Sequence, residues 1–125
     1  MYQDKLNLDI CLSPKLLSNH NFDQTSIVII DIIRASSSIC TALSYGVEHI
    51  IARAGIEEVM KLKDEGYIIA GERNGDKLEG FDYGNSPIAF MDRKLEGKKL
   101  ALTTTNGTYT IDEALLASAS SSGVE

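Results

Sequence analysis

The segment SIVIIDIIRASSS, residues 26–38, carries an uninterrupted aliphatic run directly into polar residues that suit an anion. Such a run is typical of a parallel strand that is buried on both faces. Its polar end offers Asp31, Arg34 and three serines, Ser36 to Ser38, where the chain enters a helix. Ligands of open α/β sheets bind at the carboxyl ends of the strands. The segment therefore predicts both an α/β fold and the sheet edge at which a site lies.

The same layout recurs twice further along the chain. YIIA at residues 67–70 leads into GER, and LAL at 100–102 leads into TTTNGT at 103–108. Three strands then deliver polar groups to one edge of the sheet, although these groups lie far apart in sequence. A site for an anionic ligand is the expected result.

Alternating strands and helices predict one α/β domain over residues 1–125, with a mainly parallel sheet and helices on its faces. The predicted strands cover residues 6–12, 27–30, 49–52, 67–70 and 99–102. The predicted helices run from Ser36–Ser38 to Gly46, over 56–65, briefly from Pro87 to about Met91, and onward from Gly107 or Thr108. Residues 71–86 are expected to form a long polar loop. Since Gly123-Val-Glu125 resembles the start of a further strand, we expect the chain to be the N-terminal portion of a longer one.

Composition limits the classes of function. The chain has 125 residues, is 43% hydrophobic and carries a formal net charge of −6, as expected for an ordinary soluble domain. Its lysines and arginines form no concentrated basic run, which argues against nucleic acid as a partner. No apolar stretch reaches the roughly 20 residues of a membrane helix, and the start lacks the features of a signal peptide. A cytoplasmic protein without a membrane partner is expected.

Several known mechanisms lack their residues in this chain. Neither Cys11 nor Cys40 has an arginine six residues later, as a cysteine phosphatase needs, and the two cysteines lack metal-ligand spacing. Ile33 stands where a haloacid dehalogenase has the second aspartate of its motif. His20 and His49 lie outside the spacings of zinc and Ser-His-Asp sites, and there is no Walker motif. The remaining candidates for a functional site are carboxylates that lie beside cationic side chains and hydroxyl groups.

Asp31 alone would suit a helix cap, but Arg34 changes that interpretation. A buried strand that ends in both residues carries two desolvated charges, which need each other, a metal or an anion as partners. The serines that follow can cap the helix or, with its free amides, bind phosphate. The threonines at 103–105 can be ordinary strand residues or a donor-rich loop at a helix start. Glu72 and Arg73 would be a surface ion pair elsewhere, but at a strand end they become site candidates.

Four segments resemble, in order and spacing, successive motifs of the 2-phosphosulfolactate phosphatase (ComB) family. They are IIDIIRASSSI at 29–39, GERNG at 71–75, GFDYGNSP at 80–87 and TTTNGT at 103–108. The resemblance covers the chain from about Ser26, and family members continue beyond Glu125. Serines stand at 36–38 where the family often has threonines, and this difference preserves the hydroxyl groups.

The resemblance implies a magnesium-dependent phosphoric monoester hydrolase that acts on 2-phospho-3-sulfolactate or a related 2-hydroxy acid phosphate, as in coenzyme M biosynthesis. Asp31, Arg34 and Glu72 are then the candidate catalytic residues, and Asp31, Glu72 and Asp82 the candidate Mg²⁺ ligands. Candidate substrate-binding residues are Ser36, Ser37, Arg73, Asn85, Thr103, Thr104, Thr105, Asn106 and Gly107. Direct attack by water and a phospho-aspartate at Asp31 both stay open, because the two routes use the same atoms.

Two other classes of function stay open as well. A phosphate-ester-binding or regulatory module without turnover would show thermal stabilisation by ligand and no phosphate release. An isomerase or other sugar-phosphate enzyme is disfavoured because no general base stands out near the donor loops. In each case the partner is a small phosphate ester. An incomplete sheet would expose an edge, so we also expect self-association into a homo-oligomer or contact with the remainder of a longer chain.

Overall fold

In the part of the chain that the computed structural model describes, residues 7–22 and 25–121, four strands form one sheet. The strands are β1 (His49–Ala52), β2 (Ile68–Arg73), β3 (Asp76–Lys77) and β4 (Lys99–Thr103), in the spatial order β1-β4-β2-β3. β4 runs parallel to both β1 and β2, whereas β3 is antiparallel to β2. The predicted mainly parallel sheet is confirmed.

The helices follow the sequence signals closely. They are α1 (Ala35–Ser44), α2 (Ile56–Asp64) and α3 (Gly107–Ser121), with short 3₁₀ turns at Pro14–Asn19, Pro87–Phe90 and Arg93–Leu95. α2 has two glutamates in its first turn and two lysines in its last turn, which suits the helix dipole. Crossing a membrane would take a longer apolar helix than any that the described residues form.

β4 lies between the two halves of the hydrophobic core. Leu100 and Leu102 belong to the same cluster as Ala42 of α1, and Ala101 to the same cluster as Val59 of α2. Successive side chains of a strand point to opposite faces, so the two clusters cover the two faces of β4. Each of these five side chains is 0–1% exposed. The core thus fixes the carboxyl end of β4, where the threonine loop, residues 103–106, begins.

Two predicted strands are wrong. Residues 7–12 and 27–30 form no strand, and the prediction for residue 6 lies outside the described residues, as does the strand start predicted at 123–125. Val28 is 80% exposed and Ile30 75% exposed, so this aliphatic run is not buried. A strand requires a neighbouring strand to bond with its backbone, and no strand of the described residues pairs with residues 27–30. The aliphatic residues favour a strand locally, but they do not determine whether a neighbouring strand is there to pair with it.

The prediction of one long loop over residues 71–86 is wrong at its start. β2 continues through Arg73 and turns back into β3 through Asn74 and Gly75, whose φ angles are +54° and +91°. Positive φ at both central residues is the signature of a type I′ hairpin, for which Asn-Gly is the preferred dipeptide. The Asn74-Gly75 pair was a sequence signal for this hairpin. Its tip forms one wall of the candidate site.

Candidate active site

A cleft of about 310 Å³ lies beyond the carboxyl ends of β2 and β4. Its lining residues are Asp31, Ile33, Arg34, Glu72, Asn74, Gly75, Asn85, Thr104, Thr105 and Asn106. The fold therefore brings seven predicted site residues to one cavity, from four separate stretches of sequence. Ile33, Asn74 and Gly75 were not predicted as site residues, although the hairpin signal would have placed the last two there.

A second cleft, of about 340 Å³, lies between the 3₁₀ turn Pro14–Asn19 and α3. Its lining includes Leu17, Phe22 and Leu116, and it contains none of the predicted site residues. Size therefore does not distinguish the two cavities, but chemistry does. The cleft at the ends of β2 and β4 is the candidate active site.

Two helices begin at this cleft. α1 starts directly after Arg34, and α3 starts directly after Asn106. A Cβ placed on Gly107 would lie 2.5 Å from the Cβ of Ala35 and 2.9 Å from Oδ2 of Asp31. Only glycine allows such close approach of the two helix starts. An anion bound in the cleft would lie near the positive ends of both helix dipoles, which supply local positive potential in an acidic protein.

Asp31 is half-buried, and its backbone is fixed by Ser36. The Asp31 amide donates to Oγ of Ser36 at 3.0 Å, and the Ser36 amide donates to the Asp31 carbonyl oxygen at 2.8 Å. Among residues 7–22 and 25–121, no hydrogen bond or ion pair engages the Asp31 carboxylate, and Arg34 does not pair with it. The sequence argument allowed Arg34, a metal or an anion as the partner of this charge. Since Arg34 does not pair with it, a metal and an anion remain.

Arg34 reaches across the cleft toward the β2–β3 hairpin. One Nη2 hydrogen bond to the carbonyl oxygen of Gly75, at 3.5 Å, is at the outer limit of such contacts. No acidic side chain in the described residues forms an ion pair with Arg34. Its planar group of N–H donors matches the oxygens of a phosphate or carboxylate.

Glu72 is buried, with 6% of its surface exposed, and its oxygens are already occupied. They accept hydrogen bonds from the amide of Thr105 at 2.7 Å, the amide of Gly75 at 2.8 Å and the hydroxyl of Thr105 at 3.1 Å. Burial by itself raises the pKa of Glu72. The hydrogen bonds from Thr105 and Gly75, together with the charge of Arg73, outweigh burial and hold the pKa below its ordinary value. Glu72 thus joins the threonine loop to the hairpin.

Replacing Glu72 by Gln is expected to lower the free energy of unfolding by about 1–3 kcal/mol at neutral pH, because an amide NH₂ would then face an N–H donor. The folded-state pKa of Glu72 lies below its ordinary value of 4.5, so its carboxylate stabilises the fold above that pH. This contribution is lost as the pH falls through the folded-state pKa. The difference between wild type and Glu72→Gln should therefore shrink in acid.

Urea unfolding at pH 7 and at about pH 4 and below measures this difference. Glu79→Gln is the matched control, because Glu79 is exposed and lies outside the cleft lining. A difference between wild type and Glu72→Gln that stays constant across the acid range would contradict the assigned role.

The threonine loop is held mainly by its own hydrogen bonds. The Thr104 amide donates to Oγ1 of Thr108 at 2.9 Å, and the Thr108 amide donates to Oγ1 of Thr104 at 3.1 Å. This reciprocal pair begins α3 much as a capping box does. The hydroxyl protons of Thr103 and Thr105 go to the Ala54 carbonyl oxygen and to Glu72. Among the three threonine hydroxyls, only that of Thr104 keeps its proton for a ligand in the described structure.

Arg73 and Asp82 lie outside the cleft lining. Arg73 donates to the carbonyl oxygens of Glu72 and Ala54, at 2.7 and 2.8 Å, and to Oγ1 of Thr103 at 3.0 Å. It thereby ties β2 to β4 and to the start of α2. Asp82 contacts Nζ of Lys63 at 3.2 Å and accepts from the Ile69 amide at 3.0 Å. Both side chains have partners within the protein.

Ser36, Ser37, Thr103 and Gly107 also lie outside the lining, although they are close in sequence to residues that form it. Oγ of Ser36 accepts from the Asp31 amide, and Ser37 donates to the carbonyl oxygen of Ile32 at 2.6 Å. These contacts shape the entry into α1. Among the described residues, no side chain forms a capping hydrogen bond at the start of α1, so these contacts do not fill the capping role that the sequence left open beside phosphate binding.

The three carboxylates predicted as Mg²⁺ ligands do not gather. Glu72 is occupied by amide donors, Asp82 faces Lys63, and of the three only the Asp31 carboxylate has no partner in the described part of the chain. Within residues 7–22 and 25–121, no three histidine, cysteine or acidic side chains lie together as a metal site. Mg²⁺ nevertheless often binds through one or two protein carboxylates, with water and phosphate oxygens completing its shell. Asp31 suits that manner of binding.

Known proteins resemble most of this chain. A family model described as 2-phosphosulpholactate phosphatase matches residues 11–120. A protein of Clostridium tetani, named probable 2-phosphosulfolactate phosphatase, is 44% identical over 115 residues, which cover 90% of this chain and 49% of the relative. A protein of Thermotoga petrophila with the same name is 51% identical over 85 residues, covering 68% of this chain and 37% of the relative. The chain spans at most about half the length of these relatives.

Proposed function

The chain belongs to the 2-phosphosulpholactate phosphatase family, and on that premise we propose that its cleft binds and hydrolyses a phosphate ester of a 2-hydroxy carboxylate. The observation that carries this proposal is that Arg34 and Asp31, whose carboxylate has no partner among the described residues, meet at two helix starts. The guanidinium of Arg34 forms only a long hydrogen bond to Gly75 among the described residues, and beside two positive helix ends it suits a phosphoryl group. The Asp31 carboxylate, which no described residue engages, suits the hydrolysis of that phosphoryl group.

The relatives are named for action on 2-phosphosulfolactate. We propose 2-phospho-3-sulfolactate as the substrate of this cleft. It bears phosphate, carboxylate and sulfonate, so it needs several donors or cations in one cavity. Arg34, the helix starts and the amides of the threonine loop supply such contacts from different sides. If this is the substrate, the protein acts in coenzyme M biosynthesis. Its cytoplasmic location stays a prediction.

The reaction breaks the bond between phosphorus and the ester oxygen and joins phosphorus to a water oxygen. A proton from that water ends on the departing alkoxide. Asp31 either orients the water or attacks phosphorus first and is then released by water. Arg34 binds the equatorial phosphoryl oxygens and stabilises their developing charge. Mg²⁺, held at Asp31, would neutralise further charge on these oxygens.

Phosphate release from racemic 2-phospho-3-sulfolactate, with Mg²⁺ or with EDTA, tests the proposal on the full-length gene product. We expect release with Mg²⁺ and none with EDTA. Phenyl phosphate is the control substrate, because it lacks both the carboxylate and the sulfonate. Thermal stabilisation by the substrate without any phosphate release would instead identify a binding or regulatory module. Release that is unaffected by EDTA would contradict the magnesium dependence.

A further inference from the structure

Gly107 begins α3 at the point where the starts of α1 and α3 meet. It is not among the glycines with a positive φ angle, so an alanine can adopt the same backbone conformation. Alanine would also stabilise the helix relative to glycine. The need for glycine at this position therefore comes from the space around it and not from its backbone.

Two neighbouring atoms leave no room for a side chain at Gly107. A Cβ there would lie 2.5 Å from the Cβ of Ala35 and 2.9 Å from Oδ2 of Asp31. Non-bonded heavy atoms prefer separations of about 3.5–4.0 Å, so at least one neighbour would have to move. Oγ1 of Thr104, a buried residue of the cleft lining, would lie 3.1 Å from the same Cβ. The Asp31 carboxylate and the Thr104 hydroxyl thus border one small space, which the missing side chain keeps open.

The two closest neighbours differ in how they can give way. The Cβ of Ala35 is attached directly to the backbone of α1, and Ala35 is 2% exposed, so relief of that overlap requires a helix to move. The Asp31 carboxylate is the end of a side chain, and no hydrogen bond or ion pair within residues 7–22 and 25–121 engages it. It can turn away by rotation about a side-chain bond. The overlap with Ala35 therefore affects stability, and the overlap with Asp31 affects where the carboxylate points.

We propose that Gly107 is a positioning residue whose missing side chain admits the Asp31 carboxylate to the start of α3. Gly107 lies outside the cleft lining, so its effect on the reaction passes through Asp31, which lies in it. The inference rests on the proposed function for the part that Asp31 plays in hydrolysis.

Two substitutions separate the two overlaps. Gly107→Ala introduces both of them and should lower the melting temperature and the turnover. Adding Ala35→Gly removes the overlap between the two helix starts, so the double variant should regain the melting temperature of Ala35→Gly alone. Its kcat should stay about 10- to 100-fold below that of Ala35→Gly, because the carboxylate is displaced from the reacting centre. A purely structural role for Gly107 predicts instead that turnover returns together with stability.

Gly55→Ala is the matched control. Gly55 stands at the start of α2 with a φ angle of −76°, and the three atoms nearest to a Cβ there belong to the Glu58 side chain, at 3.2–3.3 Å. Gly55 lies outside the cleft lining, so this variant should keep the kcat of wild type.

A cycle with Asp31→Asn tests whether Gly107 acts through the carboxylate. With Ala35→Gly present throughout, Gly107→Ala should cost much less turnover in Asp31→Asn than it does with Asp31 intact, because the group that it displaces has already lost its function. Losses that multiply in full would contradict a role exerted through Asp31.

Crystal structures of Ala35→Gly and of the double variant provide a measurement that does not depend on turnover. We expect the Asp31 carboxylate to be turned away from residue 107 in the double variant, with the backbone of residues 104–108 unchanged. A carboxylate that stays in place while this backbone moves would overturn the inference.

Two further results would overturn it. One is recovery of full turnover along with stability in the double variant, and the other is a double variant that is as unstable as Gly107→Ala, since Ala35 would then not be the obstacle. Absence of phosphate release from wild type with Mg²⁺ would instead count against the proposed function, and the crystal structures would still decide whether Gly107 positions Asp31.

Discussion

Asp31→Asn is expected to lower the rate of phosphate release about 10³-fold or more, while leaving the melting temperature within a few degrees of wild type. Asparagine keeps the shape of the side chain but removes its charge and its nucleophilic oxygen. Stability should change little because no protein group of the described residues bonds to this carboxylate. Kinetics with Mg²⁺, together with thermal unfolding, measure the two effects.

Asp112→Asn provides the contrasting control for this prediction. Oδ2 of Asp112 accepts a hydrogen bond from the Ala54 amide at 2.9 Å, outside the cleft lining. That variant should lose stability while the folded protein keeps its turnover. An Asp31→Asn variant that unfolds like Asp112→Asn, or that retains substantial activity, would contradict the assignment of Asp31 to the reaction.

A rapid-quench experiment on wild type then separates the two routes through Asp31. Accumulation of a phospho-enzyme would eliminate direct attack by water. Failure to trap one under conditions that capture known acyl-phosphates would count against the covalent route. Both outcomes assume measurable phosphate release, so this experiment follows the Mg²⁺ and EDTA assay.

Arg34→Ala is the second substitution expected to have a large effect. Removal of a single donor that stabilises developing charge costs about 10²–10³-fold in turnover, and Arg34 is the arginine that lines the cleft. Arg53→Ala is the matched control. Arg53 donates to the carbonyl oxygen of Ala52 and lies 4.0 Å from Glu58, outside the cleft lining. Its removal should change turnover by no more than about 2-fold.

Arg34→Lys refines this prediction. It retains the charge but loses the paired N–H geometry, so we expect turnover between those of wild type and Arg34→Ala. Measurement of kcat and KM for all three arginine variants distinguishes loss of binding from loss of transition-state stabilisation. Equal losses in Arg34→Ala and Arg53→Ala would refute the placement of the site.

The sequence was most informative where one local pattern determined the outcome. α2 could be predicted because its apolar spacing, its charge order and the glycine after it all agree. The polar ends of β2 and β4 could be placed together because parallel strands share a carboxyl edge. The aliphatic run at 27–30 failed as a strand because strand formation depends on a partner elsewhere in the molecule.

The roles of Glu72 and Arg73 needed the structure, although one part of the answer was available from sequence. Adjacent residues of a strand point to opposite faces, so both side chains cannot enter the same cleft. Glu72 faces Thr105 and the hairpin, whereas Arg73 faces Ala54 and Thr103. Within residues 7–22 and 25–121, no group bonds to the buried Oδ1 of Asn85, and no local sequence pattern encodes that absence.

The position of β4 in the sheet has a consequence for the order of events in folding. β1 and β2 both pair with β4, and His49 lies opposite Lys99, so neither parallel ladder can form until nearly all of this chain has left the ribosome. The threonine loop follows β4 immediately and closes onto Glu72 of β2. The parallel ladders and the ligand cavity therefore depend on the same late segment, and nascent chains that end before Lys99 can form neither.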